Sequence, residues 1–321
     1  MFQNRPKMFP VGVILHFIPL LLQAETLTLQ EINLKMEYHE KGSKGYLAAI
    51  VMVAVLGGLL FGYDTAVISG AEKGLQAFFL GAPDFKYTDF MHGFTSSSAL
   101  IGCIIGSGLS GLFAGKFGRK RSLVFAGVCF FISAWGSMYP ETFGLLPHGK
   151  PTWNLLLVFN LYRILGGIGV GMASAICPMY IGEIAPSNIR GMLVSFNQFA
   201  IIFGQLVVYF VNFLILGSHT NPIIESIGAG LSQVMPGSDP WTIATGWRYM
   251  FGSECVPAGL FTILICFVPE TPRYLVMTGQ ENKALSILSR INGYPVAQQT
   301  LSAIRHTITE KKEKLFSFGF M

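Results

Sequence analysis

The chain alternates between long apolar runs and short polar stretches. A transmembrane helix needs about 20 apolar residues, and six runs approach or exceed that length. Their bounds, read to within a few residues, are 46–69, 93–114, 123–138, 153–181, 192–216 and 247–268. Helices suit lipid because each satisfies its own backbone hydrogen bonds. The pattern therefore predicts an all-α integral membrane protein with six spanning helices.

Composition favours the same class. Hydrophobic residues make up 51% of the 321 residues and charged residues 12%, whereas a soluble domain carries about 25% charged residues. The formal net charge of +5 does not indicate a nucleic-acid interface, because the basic residues lie in a few loops and form no stripe interleaved with aromatic residues.

The basic residues also predict how the helices are oriented. They follow the second span and the sixth span, whereas residues 217–246 contain no lysine or arginine. The basic positions are Lys116, Arg119, Lys120, Arg121, Arg273, Lys283, Arg290, Arg305, Lys311, Lys312 and Lys314. Because basic loops stay on the cytoplasmic side, we expect a multi-pass protein of the inner (cytoplasmic) membrane with both termini in the cytoplasm.

Both ends of the chain depart from this pattern. Residues 8–24 resemble a signal-peptide core, which conflicts with a cytoplasmic start, so we hypothesise that residues 1–40 are a leader outside the fold and that translation starts at Met36 rather than Met1. N-terminal sequencing that finds Met1 would refute this. We expect residues 41–270 to form the six-helix half, 271–314 a cytoplasmic helical linker, and 315–321 the start of a truncated seventh span.

No cofactor or metal is expected. All five cysteines lie in apolar segments, without a CxxC pair or a histidine at ligand spacing, so they are interpreted as small buried hydrophobic residues. The glycine-rich stretch 166–171 has no strand before it and lies inside an apolar helix, which argues against a dinucleotide loop.

Glycines four residues apart recur within the predicted spans. Such spacing lets two helix backbones approach closely in lipid. The pairs are Gly58 with Gly62, Gly102 with Gly106, Gly111 with Gly115, and Gly167 with Gly171.

Three charged residues stand out inside the predicted spans: Asp64, Arg163 and Glu254. Each charge costs at least about 2.5–3.5 kcal/mol to insert, so each requires a partner or a function. Span one runs outward and span four inward, which allows Asp64 and Arg163 to pair at similar depth. Such a pair is either a static structural contact or, if it opens, a site at which the carboxylate takes up a proton.

A polar stripe follows span five. Gln198, Gln205, Tyr209 and Asn212 lie near one helical face. Amide groups can hydrogen-bond the hydroxyls of a sugar, and they can equally hold neighbouring helices together. The spacing alone leaves both interpretations open.

Several of these residues lie in strings that together resemble the sugar porter family of the major facilitator superfamily. The strings are Gly57-Gly-Leu-Leu-Phe-Gly-Tyr-Asp64, Phe117-Gly-Arg-Lys120, Tyr162-Arg-Ile-Leu-Gly-Gly-Ile-Gly169, Glu183-Ile-Ala-Pro-Ser-Asn-Ile-Arg-Gly191 and Pro269-Glu-Thr-Pro-Arg273. The stretches 195–205 and 246–250 look most like the proton-coupled D-xylose members. The resemblance runs from residue 46 to 321.

The resemblance implies the N-terminal six-helix half of a twelve-span fold that alternates access to a central sugar site. It implies that Asp64 carries the proton, that Arg163 is its partner and that Glu254 is a second acid that tunes coupling. It further implies that Gln198 and Gln205 bind sugar and that Phe61 lines the site, a set of residues that favours proton symport of D-xylose.

The resemblance also implies a cytoplasmic gate of salt bridges, which break as the two halves of the transporter rock. The residues at the family's gate positions are Arg119, Glu183, Arg190, Glu270 and Arg273. From the sequence alone, the charged residues at these positions can also be explained by the anchoring of loops at the cytoplasmic surface.

The family's sugar ligands from the second half have no counterparts in this chain. We therefore expect the isolated chain not to transport; proton-coupled xylose uptake by it alone in liposomes would refute this. The alternatives are another monosaccharide (arabinose, galactose or glucose) and a non-transporting half that associates with a partner, such as a separate C-terminal half. A membrane enzyme is not expected, because no histidines are paired for haem.

Overall fold

The computed structural model describes residues 42–141, 150–217 and 242–318. Within these ranges the regular structure is helical, with no strand. The predicted leader, the choice between Met1 and Met36 as the start, and residues 319–321 of the predicted seventh span lie outside the described residues.

The helices are numbered here in chain order. They are α1 Lys44–Leu80, α2 Asp89–Phe117, α3 Arg119–Met138, α4 Trp153–Ile184, α5 Arg190–Gly217, α6 Trp247–Ser253, α7 Cys255–Phe267, α8 Pro272–Met277, α9 Glu281–Asn292 and α10 Tyr294–Phe318. A short π-helical turn, Thr242–Gly246, precedes α6.

Six helical segments are long and apolar enough to cross a membrane: α1 to α5 and the continuous stretch Ile243–Phe267. This confirms the number and order of the predicted spans. The largest difference is in α1, which continues to Leu80, eleven residues past the apolar run. The extension buries Ala71, Leu75 and Phe79 against the bundle, so tertiary packing extends the helix beyond the hydropathy signal.

Local sequence explains several helix ends. Thr88 and Thr152 are N-caps of α2 and α4, where their hydroxyls accept hydrogen bonds from the backbone N–H groups of Met91 and Leu155. Gly118 alone joins α2 to α3 with φ of +94°, and a Cβ there would overlap the Glu270 carboxylate and lie 2.9 Å from Tyr274 Cε1. Only glycine satisfies both requirements without strain.

The predicted glycine pairs differ in their roles. Gly102 and Gly106 of α2 lie against the backbone of α4 at residues 164–168, and Gly167 and Gly171 of α4 lie against the backbone of α2 at residues 99–107. Gly58 and Gly62 of α1 likewise contact α5. The prediction was wrong for Gly111 and Gly115, since a Cβ at either would have nothing within 4 Å among the described residues.

The sixth span is broken at Glu254, between α6 and α7. Pro257 explains the break, because it has no N–H to donate to the carbonyl of Ser253 one turn earlier. The Glu254 N–H bonds instead to the Phe251 carbonyl over 3.2 Å, and its own carbonyl accepts from Ala258 over 3.0 Å. The span is therefore two helices with an acid at the junction.

The chain divides into two compact units, Gly45–Gly279 and a second formed by the two ends of the chain, up to Lys44 and from Gln280. In the second unit, α9 and α10 are joined at Gly293, which has φ of +81°, and Arg305 of α10 forms an ion pair with Glu281 of α9. The Ser43 N–H donates to the Arg290 carbonyl over 2.8 Å. The predicted division into half, linker and seventh span remains a prediction.

Two ends of the larger unit are used below. The Gly118 end contains the connection between α2 and α3, and the Trp247 end contains the start of α6 together with the end of α1. At the Trp247 end the aromatic side chains of Phe78, Phe79, Phe159 and Trp247 are buried in one cluster. Between the two ends lies the group of buried charges.

Candidate functional site: a buried charge group and two flanking ion pairs

Asp64 and Arg163 meet inside the larger unit, as their positions in α1 and α4 predicted. Arg163 Nη1 donates to Asp64 Oδ1 over 2.5 Å. Both residues are only 2% exposed, so the pair is shielded from solvent and from salt. Each of these buried charges therefore requires a counter-ion.

The environment of Arg163 is only partly polar. Its guanidinium carbon lies 5.0 Å from the centre of the Phe251 ring, a cation–π contact, and its Nε has no hydrogen-bond partner among the described residues. The contact with Asp64 is therefore a single hydrogen bond rather than a bidentate one, which leaves Arg163 donor capacity in reserve.

Glu254 completes the group from the junction between α6 and α7. It is 1% exposed and lies within electrostatic reach of Asp64 and Arg163. Two ionised carboxylates beside one guanidinium carry one uncompensated negative charge, which the uptake of one proton removes. One arginine and two acids can therefore hold an exchangeable proton at this depth.

Two hydroxyls fix the local geometry. Tyr63, the neighbour of Asp64 in α1, lies with its hydroxyl 2.7 Å from that of Ser253, the neighbour of Glu254. Ser253 donates in turn to the Met250 carbonyl over 2.6 Å. This contact joins α1 to the end of α6 directly beside the two acids.

The predicted sugar-binding residues lie on accessible surface. Gln198 of α5 is exposed, and Gln205 of α5 and Phe61 of α1 are half-buried. The two helices touch here, because Gly62 lies against the backbone of Ile201. The structure thus places these side chains on neighbouring helices that meet beside Asp64.

The polar stripe of α5 does not act as one face. Asn212 is buried and donates from its Nδ2 to the Val67 carbonyl of α1 over 3.3 Å, so it holds the two helices together. Tyr209 is 52% exposed. Of the two interpretations of the stripe, helix-to-helix bonding describes Asn212.

The predicted gate residues form a network at the Gly118 end. Arg119 Nη2 donates to Glu183 Oε1 over 2.7 Å. The Glu270 carboxylate accepts from the backbone N–H groups of Arg119 and Lys120 over 3.0–3.2 Å. Glu270 thus binds the first turn of α3, where the positive end of the helix dipole favours an anion.

The two remaining gate residues do not join this network in the described part of the chain. Arg190 donates from Nε and Nη2 to the Ala185 carbonyl at the end of α4, over 3.4 and 3.3 Å. Arg273 is half-buried and forms no ion pair within residues 42–141, 150–217 and 242–318. The structure therefore brings together three of the five predicted residues.

A further ion pair was missed by the sequence reasoning. Arg248 donates from Nη1 and Nη2 to the two oxygens of Glu141, over 2.8 and 2.7 Å, and both residues are buried at the Trp247 end. The available signals were an arginine at the start of span six and a glutamate just past span three. Glu141 lies outside the predicted spans, and Arg248 is the second residue of the run 247–268, where a charge at the end of a span requires no buried partner.

Comparisons with known proteins show the family of the chain. The family model described as "Sugar (and other) transporter" matches residues 50–319. The chain belongs to the sugar transporter family. Its matched relatives are transporters rather than enzymes, and the family assignment confirms the resemblance found in the sequence strings.

Individual members of the sugar transporter family are longer than the part of them that this chain matches. The D-xylose-proton symporter of Escherichia coli strain K12 is 45% identical over 287 residues, which cover 86% of this chain and 55% of that protein. The arabinose-proton symporter of Bacillus subtilis strain 168 is 37% identical over 83% of this chain and 49% of that protein. The chain thus spans about half the length of these relatives.

Solved structures show the fold. The partially occluded inward-open xylose transporter XylE from E. coli matches with a TM-score of 0.72 and 44% identity, covering 84% of this chain and 60% of that chain. The same major facilitator protein bound to 6-bromo-6-deoxy-D-glucose matches with a TM-score of 0.73, and the match covers 86% of this chain and 56% of that chain. The present chain therefore has the six-helix part of a major facilitator fold.

Proposed function

We propose that this chain supplies the proton-coupling site and one wall of the sugar site of a proton-coupled D-xylose transporter. The observation that carries the proposal is the group formed by Asp64, Arg163 and Glu254. Burying one arginine and two acids inside a membrane is costly, so such a group is expected to have a function. Exchange of a proton is the function that this geometry favours.

In the proposed cycle Asp64 is the proton carrier. Glu254 is ionised throughout. While Asp64 is also ionised it pairs with Arg163; when Asp64 takes up a proton that attraction is lost, the guanidinium turns to the Glu254 carboxylate beside it, and the site has gained one proton. The charge of Arg163 thus remains compensated in both states. Such alternation between two counter-ions couples proton binding to a small movement of α1 against α4 and α6.

The sugar-binding part of the proposal assigns Gln198 and Gln205 as ligands and Phe61 as lining. Their support is that the amides are accessible, lie on α5 beside the proton site, and offer both donors and acceptors. D-xylose is favoured because the D-xylose-proton symporter of E. coli is 45% identical. Arabinose is the alternative that the B. subtilis relative suggests.

We further propose that the Gly118 end faces the cytoplasm of the inner membrane and that the contacts of Arg119 and Glu270 belong to the inward gate, together with Glu183, Arg190 and Arg273. The basic residues of the α2–α3 connection support this side. With six spans, both ends of the larger unit are then cytoplasmic. Labelling of single cysteines introduced at Lys116 and Ala82 in intact cells would test it: only the second should react with an impermeant reagent.

The transport proposal can be tested in a fusion. Residues 41–321 are joined to the remaining part of the E. coli D-xylose-proton symporter and reconstituted in liposomes beside the chain alone. We expect xylose to drive proton uptake in the fusion only. Asp64→Asn should abolish proton uptake yet leave xylose exchange measurable, whereas Asp84→Asn, a control in the connection before α2, should leave both intact. Proton uptake that survives Asp64→Asn would overturn the assignment.

Substrate choice is tested separately with the same fusion. Competition of labelled xylose uptake by arabinose and glucose should be weak if D-xylose is the substrate. Gln205→Ala should raise the half-saturating xylose concentration about tenfold, because an unpaired hydroxyl or amide in the complex costs about 1–3 kcal/mol. An unchanged value would remove Gln205 from the sugar site.

A further inference from the structure

The outer part of the sixth span needs an external support. Helix α6 has only the seven residues Trp247–Ser253, and the break at Glu254 separates it from α7. A break caused by a missing hydrogen bond is a point at which a helix can bend. The position of Glu254 relative to Asp64 therefore depends on what holds α6.

The end of α3 and Glu141, three residues beyond it, hold α6 near its first turn. Both terminal nitrogens of Arg248 bind both oxygens of Glu141, and Nη1 also donates to the Met138 carbonyl over 3.3 Å. The guanidinium carbon lies 4.6 Å from the centre of the Trp247 ring and 5.6 Å from that of Phe78. Bidentate binding of a planar guanidinium fixes direction as well as distance.

The same region of α3 also touches the last turn of α6. Gly252 lies against the side chain of Met138, at a place where a Cβ would overlap it. Arg248 and Gly252 are one turn apart, so α3 contacts α6 at two heights. From Arg248 to Glu254 the helix rises about 9 Å, at 1.5 Å per residue. Over so short a length, a change in the orientation of α6 at Arg248 also changes the position of Glu254.

We infer that Glu141 and Arg248 are positioning residues for proton coupling: their ion pair fixes α6 so that Glu254 faces Asp64. This inference rests on the proposed function, in which Glu254 is the second acid. Without the pair, α6 keeps its aromatic packing and the contact between Ser253 and α1 but loses the bond that fixes the direction of its first turn, and the approach of Glu254 to Asp64 is weakened.

The test measures protonation of the two acids in the full chain, purified in lipid nanodiscs. The infrared band of protonated carboxylic acid is followed against pH, and the contribution of the site is isolated by subtracting Asp64→Asn/Glu254→Gln. Two coupled acids titrate in two separated steps. In Glu141→Gln these steps should converge by about one pH unit, the size of effect that a nearby charge exerts; in Glu141→Asp they should stay apart.

A matched control and a second variant keep the result decisive. Glu72→Gln makes the same chemical change in a carboxylate that pairs with His92 over 3.2 Å and should leave the titration unchanged. Arg248→Lys keeps the charge but loses the bidentate contact, so the two titration steps should partly converge in this variant. If Glu141→Gln does not fold, Arg248→Lys provides the test.

The two proposals fail in different ways. If Glu254→Gln leaves the titration of the chain unaltered, Glu254 is not a proton site and the proposed function fails there. If Glu254→Gln removes one step while Glu141→Gln and Arg248→Lys titrate as the unmodified chain does, the proton site stands and the positioning inference is overturned.

Discussion

Two buried ion pairs of the larger unit, Arg248–Glu141 and Arg163–Asp64, differ in how completely their groups are satisfied. Arg248 and Glu141 use both nitrogens and both oxygens. Arg163 and Asp64 share one hydrogen bond, Arg163 Nε has no partner among the described residues, and a second acid lies alongside. Both pairs are buried, so solvent exposure does not explain the difference.

The difference suggests separate roles for similar chemistry. A pair in which the groups satisfy each other has no alternative arrangement of comparable energy and acts as a fixed contact. A pair with spare donors and a competing acid has such an alternative and can switch. Whether a buried ion pair is a fixed contact or a switch depends on what surrounds it.

The largest effect is expected from breaking the fixed contact. Arg248→Met removes the bidentate arginine contact of the buried Glu141 carboxylate, which should lower the free energy of unfolding by about 3–5 kcal/mol. Unfolding by denaturant in bicelles measures it. The double variant Glu141→Leu/Arg248→Met should recover most of the loss; if it is no more stable than Arg248→Met, the cost does not come from an unpaired charge.

A smaller effect is expected at the switchable pair. Asp64→Asn should cost about 1–3 kcal/mol, the range for a lost hydrogen bond to a buried group, because Glu254 can still compensate Arg163. Asp64→Asn/Glu254→Gln removes both acids and should cost more than the sum of its single variants. Additive costs in the same unfolding assay would mean that Glu254 is no alternative partner.

Packing beside the switchable pair should tolerate little added volume. A Cβ at Gly62 would overlap the backbone of Ile201, and Gly62→Ala should therefore destabilise by about 1–3 kcal/mol through overpacking. Gly111→Ala, on the open side of α2, is the matched control and should be neutral or slightly stabilising. Equal stabilities of the two variants would show that α1 and α5 can separate without cost.

The smallest effect concerns pH at the Trp247 end. Burial raises the pKa of the Tyr87 phenol, and a hydrogen bond with Thr95 lowers it in part. Because the pKa is higher in the folded state than the usual value of about 10, this stabilisation is complete below pH 10 and is lost as pH rises through the folded pKa. Tyr87→Phe should flatten the dependence of thermal stability on pH in that range; an unchanged slope would contradict it.

Hydropathy predicted the six spans because lipid imposes one strong requirement, an apolar helix of sufficient length. It ended α1 at Ser69 because the next residues are amphipathic, and only packing against α4 and α6 shows why the helix continues to Leu80. The intramembrane charges Asp64, Arg163 and Glu254 were found for the same reason: a charge within an apolar run is conspicuous.

The sequence by itself determined the class of protein, the number of spans, the charged residues of the proposed proton site and, through its motif strings, the family. Only the tertiary structure decided that Glu141 and Arg248 meet, that Asn212 bonds two helices while Gln198 stays exposed, and that the Gly111–Gly115 pair faces away from the bundle. Hydropathy is a property of each segment, whereas pairing and burial depend on the rotation of one helix against another, and that rotation is set by packing between distant segments.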